Sequence, residues 1–173
     1  SANAISAKNW DRVAELHAPD EVKAYLAANL ELEDALTYLM DRLEEAGVAD
    51  HTVIVLTGDH MPYGLSEESY RFLAGEHVEE PFWQYKNSFI CWTGGLEKPI
   101  HVDDYCCTQD ILPTLLNLFG FEYDSRLLTG RDVLSDCTHL AVLKDGSFLC
   151  DALIYDSGAN SVTWLEPEEQ YPA

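Results

Sequence analysis

Hydrophobic positions along this chain recur with two periods. From Pro19 onward they fall at Val22, Leu26, Leu30, Leu32, Leu36, Leu39 and Leu43, mostly three or four apart, the spacing of one helix face. Pro19, Asp20 and Glu21 suit a helix start, where proline costs little and anionic side chains complement the dipole. Gly47 stands where a left-handed C-terminal cap belongs. A helix of about 25 residues is therefore predicted here. Residues 1 to 18 show no clear period. "TVIVLT" (Thr52 to Thr57) is continuously apolar and β-branched, the pattern of a strand buried on both faces in a parallel sheet flanked by helices. "NSFICW" (Asn87 to Trp92) predicts a second strand, closed by Gly94 and Gly95.

The intervening residues 61 to 81 read as a loop with a short helical piece. "DILPTLLNLFG" predicts a second helix, with Asp110 as N-cap, Pro113 in the first turn and Gly120 as terminator. "SRLLTGRDVLSD" reads as loop, and the segment from Leu140 to Pro167 as a small antiparallel meander. Its turns are signalled by Asp145-Gly146 and by Ser157 to Asn160. The tail from Glu166 to Ala173 reads as frayed. The order predicts an α/β fold: a partial parallel sheet flanked by helices over residues 1–136, with an antiparallel β meander and tail over residues 137–173.

Composition narrows the partners. The 173 residues are 47% hydrophobic and 11% aromatic, enough for a globular core. Ten Lys plus Arg against 31 Asp plus Glu leave a formal net charge of -21. Such a surface repels nucleic acid and anionic headgroups, so no nucleic-acid partner is expected. No apolar run approaches the roughly 18 residues of a membrane span. Five cysteines, Cys91, Cys106, Cys107, Cys137 and Cys150, lack CxxC spacing, which argues against a structural zinc site of the usual kind.

Chemistry concentrates in "HTVIVLTGDHMPYG", His51 to Gly64. In α/β sheets ligands bind beyond the carboxyl ends of strands, and Asp59 and His60 occupy that position. A carboxylate oxygen and an imidazole nitrogen are half of a divalent-metal shell, and adjacent loop residues can turn toward one ion. The pair equally suits an ordinary loop carboxylate beside a surface or core histidine.

Three stretches together carry a resemblance: "TVIVLTGDHMPYG", "TQDILPTLLNLFGF" and "SRLLTGRDVLS". In that order, and preceded by a long helix, they resemble the C-terminal part of the sulfatase-like branch of the alkaline phosphatase superfamily. Within it, they are most similar to phosphoglycerol transferases of the lipoteichoic acid synthase type. The likeness runs over roughly residues 19 to 136. It implies an enzyme that hydrolyses or transfers phosphate or sulfate esters, using a Thr, Ser or modified Cys nucleophile and a divalent metal. Asp59 and His60 match the family's Asp-His metal ligands. The expected ion is manganese or magnesium, with calcium or zinc as alternatives. The nucleophile and the remaining ligands have no counterpart here, so the chain is expected to be the C-terminal portion of a larger enzyme and inactive alone. The resemblance further implies transmembrane helices ahead of this region and a domain on the extracellular face of the membrane.

Other residues have weaker claims. Tyr63, His77 and Lys86 are candidates for contact with an anionic substrate, each with packing or solvated placement as its plainer role. Arg131 in "TGRDVLS" reads as structural, ion-paired through its guanidinium. A binding or scaffolding domain that keeps the fold without catalysis is the alternative. A third reading, a dinuclear hydrolase of another fold, would need His101 with Asp103 and Asp104. If the parent sheet is divided, an exposed edge strand is expected to self-associate.

Overall fold

A computed structural model describes residues 4–75, 82–165 and 167 of the chain. The expectation for the tail after residue 165, apart from 167, lies outside the described residues. The chain forms two compact units, Ser1–Lys98 and Pro99–Ala173.

In the first unit, helix α1 (Ala4–Lys8) and a 3-10 turn (Trp10–Arg12) lie against the long helix α2 (Asp20–Glu45). The N-terminal stretch has no hydrophobic period because polar side chains hold much of it. Asn9 is buried and donates to the Ala27 carbonyl at 3.2 Å and to Glu31 at 3.1 Å. Arg12 grips both oxygens of Asp34 at 2.8 and 3.0 Å, and Lys23 donates to the Ala14 carbonyl at 3.0 Å. Only small apolar groups, Val13, Val22 and Ala27, are fully enclosed there.

Helix α2 begins and ends as its sequence predicts. Pro19 takes the N-cap position and Asp20 and Glu21 fill the first turn. Gly47, at φ +68°, closes a Schellman motif: Val48 N–H donates to the Leu43 carbonyl at 3.0 Å and Gly47 N–H to Glu44 at 2.9 Å. Helix α3 (Glu67–Ala74) is the short helical piece expected in the loop. Its N-cap Ser66 donates its N–H to the Glu21 carboxylate at 3.0 Å and its hydroxyl to the same oxygen. These Ser66 bonds hold the Glu21 carboxyl below the usual carboxylate range.

Strand β1 (Val53–Thr57) pairs with β2 (Phe89–Thr93), in register from Val53 opposite Thr93 to Thr57 opposite Phe89. The pair is antiparallel, which corrects the expected parallel arrangement for these two strands. The reason is the path between them. A parallel neighbour needs a crossover that carries the chain back along the strand. Here the connection leaves Thr57 and re-enters at Phe89, the residue directly opposite, so β2 runs back down beside β1. Nor is β1 buried on both faces: Val55 and Ile90 are exposed, and among the described residues neither strand has a second neighbour.

The second unit joins helix α4 (Ile111–Leu118) to the four strands β3 (Leu140–Val142), β4 (Phe148–Cys150), β5 (Leu153–Asp156) and β6 (Ser161–Trp164). The strands form the expected antiparallel meander in sequential order. Gly146 turns at φ +88°, and Asn160 at φ +49° closes the second turn.

Asp110 does more than cap. Its carboxylate is buried, accepting the Cys107 N–H at 2.8 Å and, across 21 residues, the Arg131 N–H at 2.7 Å. It is therefore the third residue of a capping box that begins at Cys107, one turn earlier than the sequence suggested. Thr114 continues the same seam, donating its hydroxyl to the Asp110 carbonyl at 2.6 Å and accepting the Val133 N–H at 3.0 Å. Gly130 has no room for a side chain, because a Cβ there would lie 1.9 Å from the Gln109 carbonyl oxygen. Arg131 is structural as expected, but its guanidinium donates to the Thr138 carbonyl rather than to a carboxylate.

Removing this carboxylate should cost more than its surface neighbours do. Asp110→Ala leaves two N–H groups without their charged acceptor, a loss of about 2–4 kcal/mol, whereas exposed Asp136→Ala should stay within about 0.5 kcal/mol. Urea unfolding of the chain measures both, and equal midpoints for the two variants would refute the role given to Asp110.

Candidate functional site

The tip of β1 is held shut by an amide. Asn87 Nδ2 donates to the Gly58 carbonyl at 2.8 Å, and its Oδ1 accepts the Ser88 N–H at 2.8 Å. A Cβ on Gly58 would lie 2.4 Å from the Asn87 amide, so the glycine is what leaves room for that amide to bridge the two strands. The chain then turns outward through Asp59 and His60.

Those two residues are brought together, as the sequence placed them. His60 Nδ1 lies 2.7 Å from the Met61 carbonyl oxygen, and His60 Nε2 lies 3.5 Å from Asp59 Oδ2. A carbonyl can only accept, so the Nδ1 contact requires a proton on that nitrogen and leaves Nε2 as the lone-pair position of a neutral ring. The lone pair thus belongs to the nitrogen nearest the Asp59 carboxylate. Two ligands bound at about 2.1 Å to one ion stand roughly 3.0 Å apart at the right angle of octahedral coordination and roughly 3.4 Å at the tetrahedral angle, so a small closure of the observed 3.5 Å gap would let both reach one ion. The side chains are open to solvent, Asp59 87% and His60 49% exposed. Tyr63 lies against the imidazole, ring centroids 4.4 Å apart and tilted by 30°.

Lys86 follows a 3-10 turn (Trp83–Tyr85) and helps to line an open groove of about 360 Å³ together with Tyr25, Tyr70 and Trp83. Pro62, in the loop that follows Asp59 and His60, borders the same groove. Tyr70 and Trp83 stack at 4.7 Å, and the Tyr70 hydroxyl donates to the Gln84 carbonyl at 2.9 Å. His77 lies outside the described residues.

Further along, Asp104 does not join His101 and Asp103 in a described cluster. It lies instead with His139 and Asp151 in the second unit. The hairpin register accounts for half of this meeting. Leu140 is opposite Cys150, so the next step outward sets His139 beside Asp151. The group escapes a reading by spacing because Asp104 lies 35 residues before His139, and Asp151 12 residues after it, joined only through strand register; pairing β3 with β4 is the signal that would have found it. The cysteines of the 106–107 pair are free. Burial, and then the Asp110 carboxylate, push both thiols above their ordinary range, the reverse of a reactive thiolate.

The sulfatase family model matches residues 2–121, well over half of the chain. The chain therefore belongs to the sulfatase family, and with it to that family's α/β fold. Within the family it is similar to lipoteichoic acid synthases. It is 31% identical over 132 residues to the lipoteichoic acid synthase-like protein YvgJ of Bacillus subtilis, covering 71% of this chain and 21% of the relative. To the lipoteichoic acid synthase of Staphylococcus saprophyticus it is 28% identical over 159 residues, 86% of this chain and 24% of the relative. To that of Staphylococcus aureus (strain USA300) it is 27% identical over 147 residues, 79% and 22%. The chain thus spans less than a quarter of the length of these relatives. Among the described residues no helix is long and apolar enough to cross a membrane.

The clamp at the tip is open to a direct check. Gly58→Ala should destabilise the chain by about 1 kcal/mol by displacing the Asn87 amide from its partners. In an Asn87→Ala background the same change should cost much less, because the obstructing amide is gone. A double-mutant cycle on urea midpoints reads the coupling, and additive effects would mean the two residues do not meet as described.

Proposed function

We propose that this chain is the metal-binding C-terminal part of an enzyme that hydrolyses or transfers phosphate or sulfate esters, with phosphoglycerol transfer the favoured reaction. The single observation that carries this reading is the pair at the tip of β1: a solvent-facing carboxylate oxygen and the imidazole Nε2 3.5 Å apart, with the other ring nitrogen against a backbone carbonyl. Membership of the sulfatase family and likeness to lipoteichoic acid synthases support it.

In this reading Asp59 and His60 are two ligands of a divalent ion, manganese or magnesium. When bound, the ion would stabilise negative charge on the transferred group and activate the nucleophile. The chain's own residues have preparatory tasks. Met61 sets the His60 tautomer through its carbonyl, as outer partners of metal-binding histidines commonly do. Tyr63 restricts the swing of the imidazole by lying along it. Asn87 and Gly58 hold the tip from which both ligands project. Lys86, on the groove that also meets the Asp59-His60 loop at Pro62, offers a cation to an anionic ester. The nucleophile belongs to another part of the whole protein, so the chain by itself is inactive. The domain works on the extracellular face of the membrane, and the open edges of β1 and β2 take up a further strand, from the whole protein or from a second copy.

The test uses the whole protein, wild type beside Asp59→Ala, with an aryl phosphodiester and an aryl sulfate, with and without manganese. Wild type should turn over one ester only when metal is present. Loss of a ligand worth several kcal/mol of charge stabilisation should lower that rate by about a thousandfold. Equal rates in wild type and variant, or turnover indifferent to metal, would remove the metal role of Asp59.

A further inference from the structure

We infer that the second unit carries its own divalent-cation site, formed by Asp104, His139 and Asp151 and separate from the pair at Asp59 and His60. One ligand atom from each of the three residues lies within 4.8 Å of the others. They come from three distant parts of the unit: Asp104 from the segment before α4, His139 from the lead-in to β3, and Asp151 from the tight connection between β4 and β5.

The imidazole is the informative member. His139 is only 16% exposed, and its Nε2 is fully buried with no hydrogen-bond partner. A buried nitrogen left this way costs free energy unless something binds it. The nearest candidate, Asp104 Oδ2, stands 3.7 Å away, too far for a hydrogen bond but within reach of an ion held between them. Bonds of about 2.1 Å spanning that gap would meet at roughly 120°. On the other side of the ring, Nδ1 lies 3.5 Å from Asp151 Oδ1 while the His139 N–H donates to Asp151 Oδ2 at 3.2 Å. Asp151 is thereby fixed to the backbone beside the ring. A cavity of about 10 Å³, lined by His139, Thr138 and Tyr105, adjoins the group. Arg131 also lines that cavity, with its guanidinium donating to the Thr138 carbonyl.

An imidazole nitrogen and a carboxylate on the ion, with Asp151 facing the other ring nitrogen as outer partners of metal-binding histidines commonly do, suit a borderline divalent ion, zinc or manganese, over a hard ion that prefers oxygen alone. The unit also has reason to need such a tie. Among its described residues the buried apolar side chains are few, Ile154 and Pro113, and its cysteines form no disulfide. Units this small commonly add a metal or a covalent link to a thin core. An ion here would fasten the meander to the segment leading into α4.

The test is calorimetric titration of the 173-residue chain, freed of metal by chelator, with zinc chloride, in a His60→Ala background that removes the first site. One equivalent should bind, and saturating zinc should raise the melting temperature by about 5–10 °C. Asp104→Asn, a change at an exposed position, and His139→Gln in the same background should each weaken binding by at least tenfold and abolish most of the thermal shift. Binding that survives both changes, or no saturable binding in the His60→Ala chain, overturns the proposal. Because the first site is absent throughout, neither result bears on the catalytic reading of Asp59 and His60.

Discussion

A single buried carboxylate ties the second unit together. Asp110 accepts one N–H from its own helix start and another from Arg131, which lies 21 residues further on. An ionised oxygen makes stronger hydrogen bonds than a neutral one, and burial raises the penalty for leaving any of them unmade. The close approach that this requires explains Gly130, whose missing side chain makes room for the Gln109 carbonyl. Thr114 and Asn117 extend the seam along α4, the latter donating to Asp132 at 2.9 Å. The "TQDILPTLLN" and "TGRDV" stretches are thus two halves of one hydrogen-bonded joint.

The first unit is organised by the same economy. Its enclosed apolar groups are small, while Ser6, Asn9 and Ser69 are buried polar residues. Asn9 fastens the N-terminal turns to α2, Glu21 fastens α2 to the N-cap of α3, and Asn87 fastens β2 to the end of β1. Two leucines of the α2 stripe, Leu32 and Leu39, remain exposed. The periodic pattern therefore describes more apolar surface than this chain covers. That fits a chain matching less than a quarter of its relatives' length.

Where a side chain acts on its own helix or turn, its role could be read without a structure. Gly47, Gly146, Asn160 and the start of α2 at Pro19 all behave as their local chemistry dictates. The juxtaposition of Asp59 and His60 at the end of an apolar strand was legible for the same reason, since neighbours in sequence on a tight turn are neighbours in space. The N-terminal helix α1 and its 3-10 turn were not, because long polar side chains reaching to α2 leave no hydrophobic period. Asp110 was recognised as a helix-start residue, yet its second partner lies across a loop whose path nothing local specifies.

The sequence by itself determined the main helices and strands after residue 19, where the meander turns, and that Asp59 and His60 stand together at the tip of β1, because short-range sterics and hydrophobic periodicity act within a few residues. Tertiary structure alone decided that β2 runs antiparallel to β1, since strand direction depends on where the connecting chain returns. It also decided that Asp104, His139 and Asp151 converge, because strand register joins residues that the chain order keeps apart.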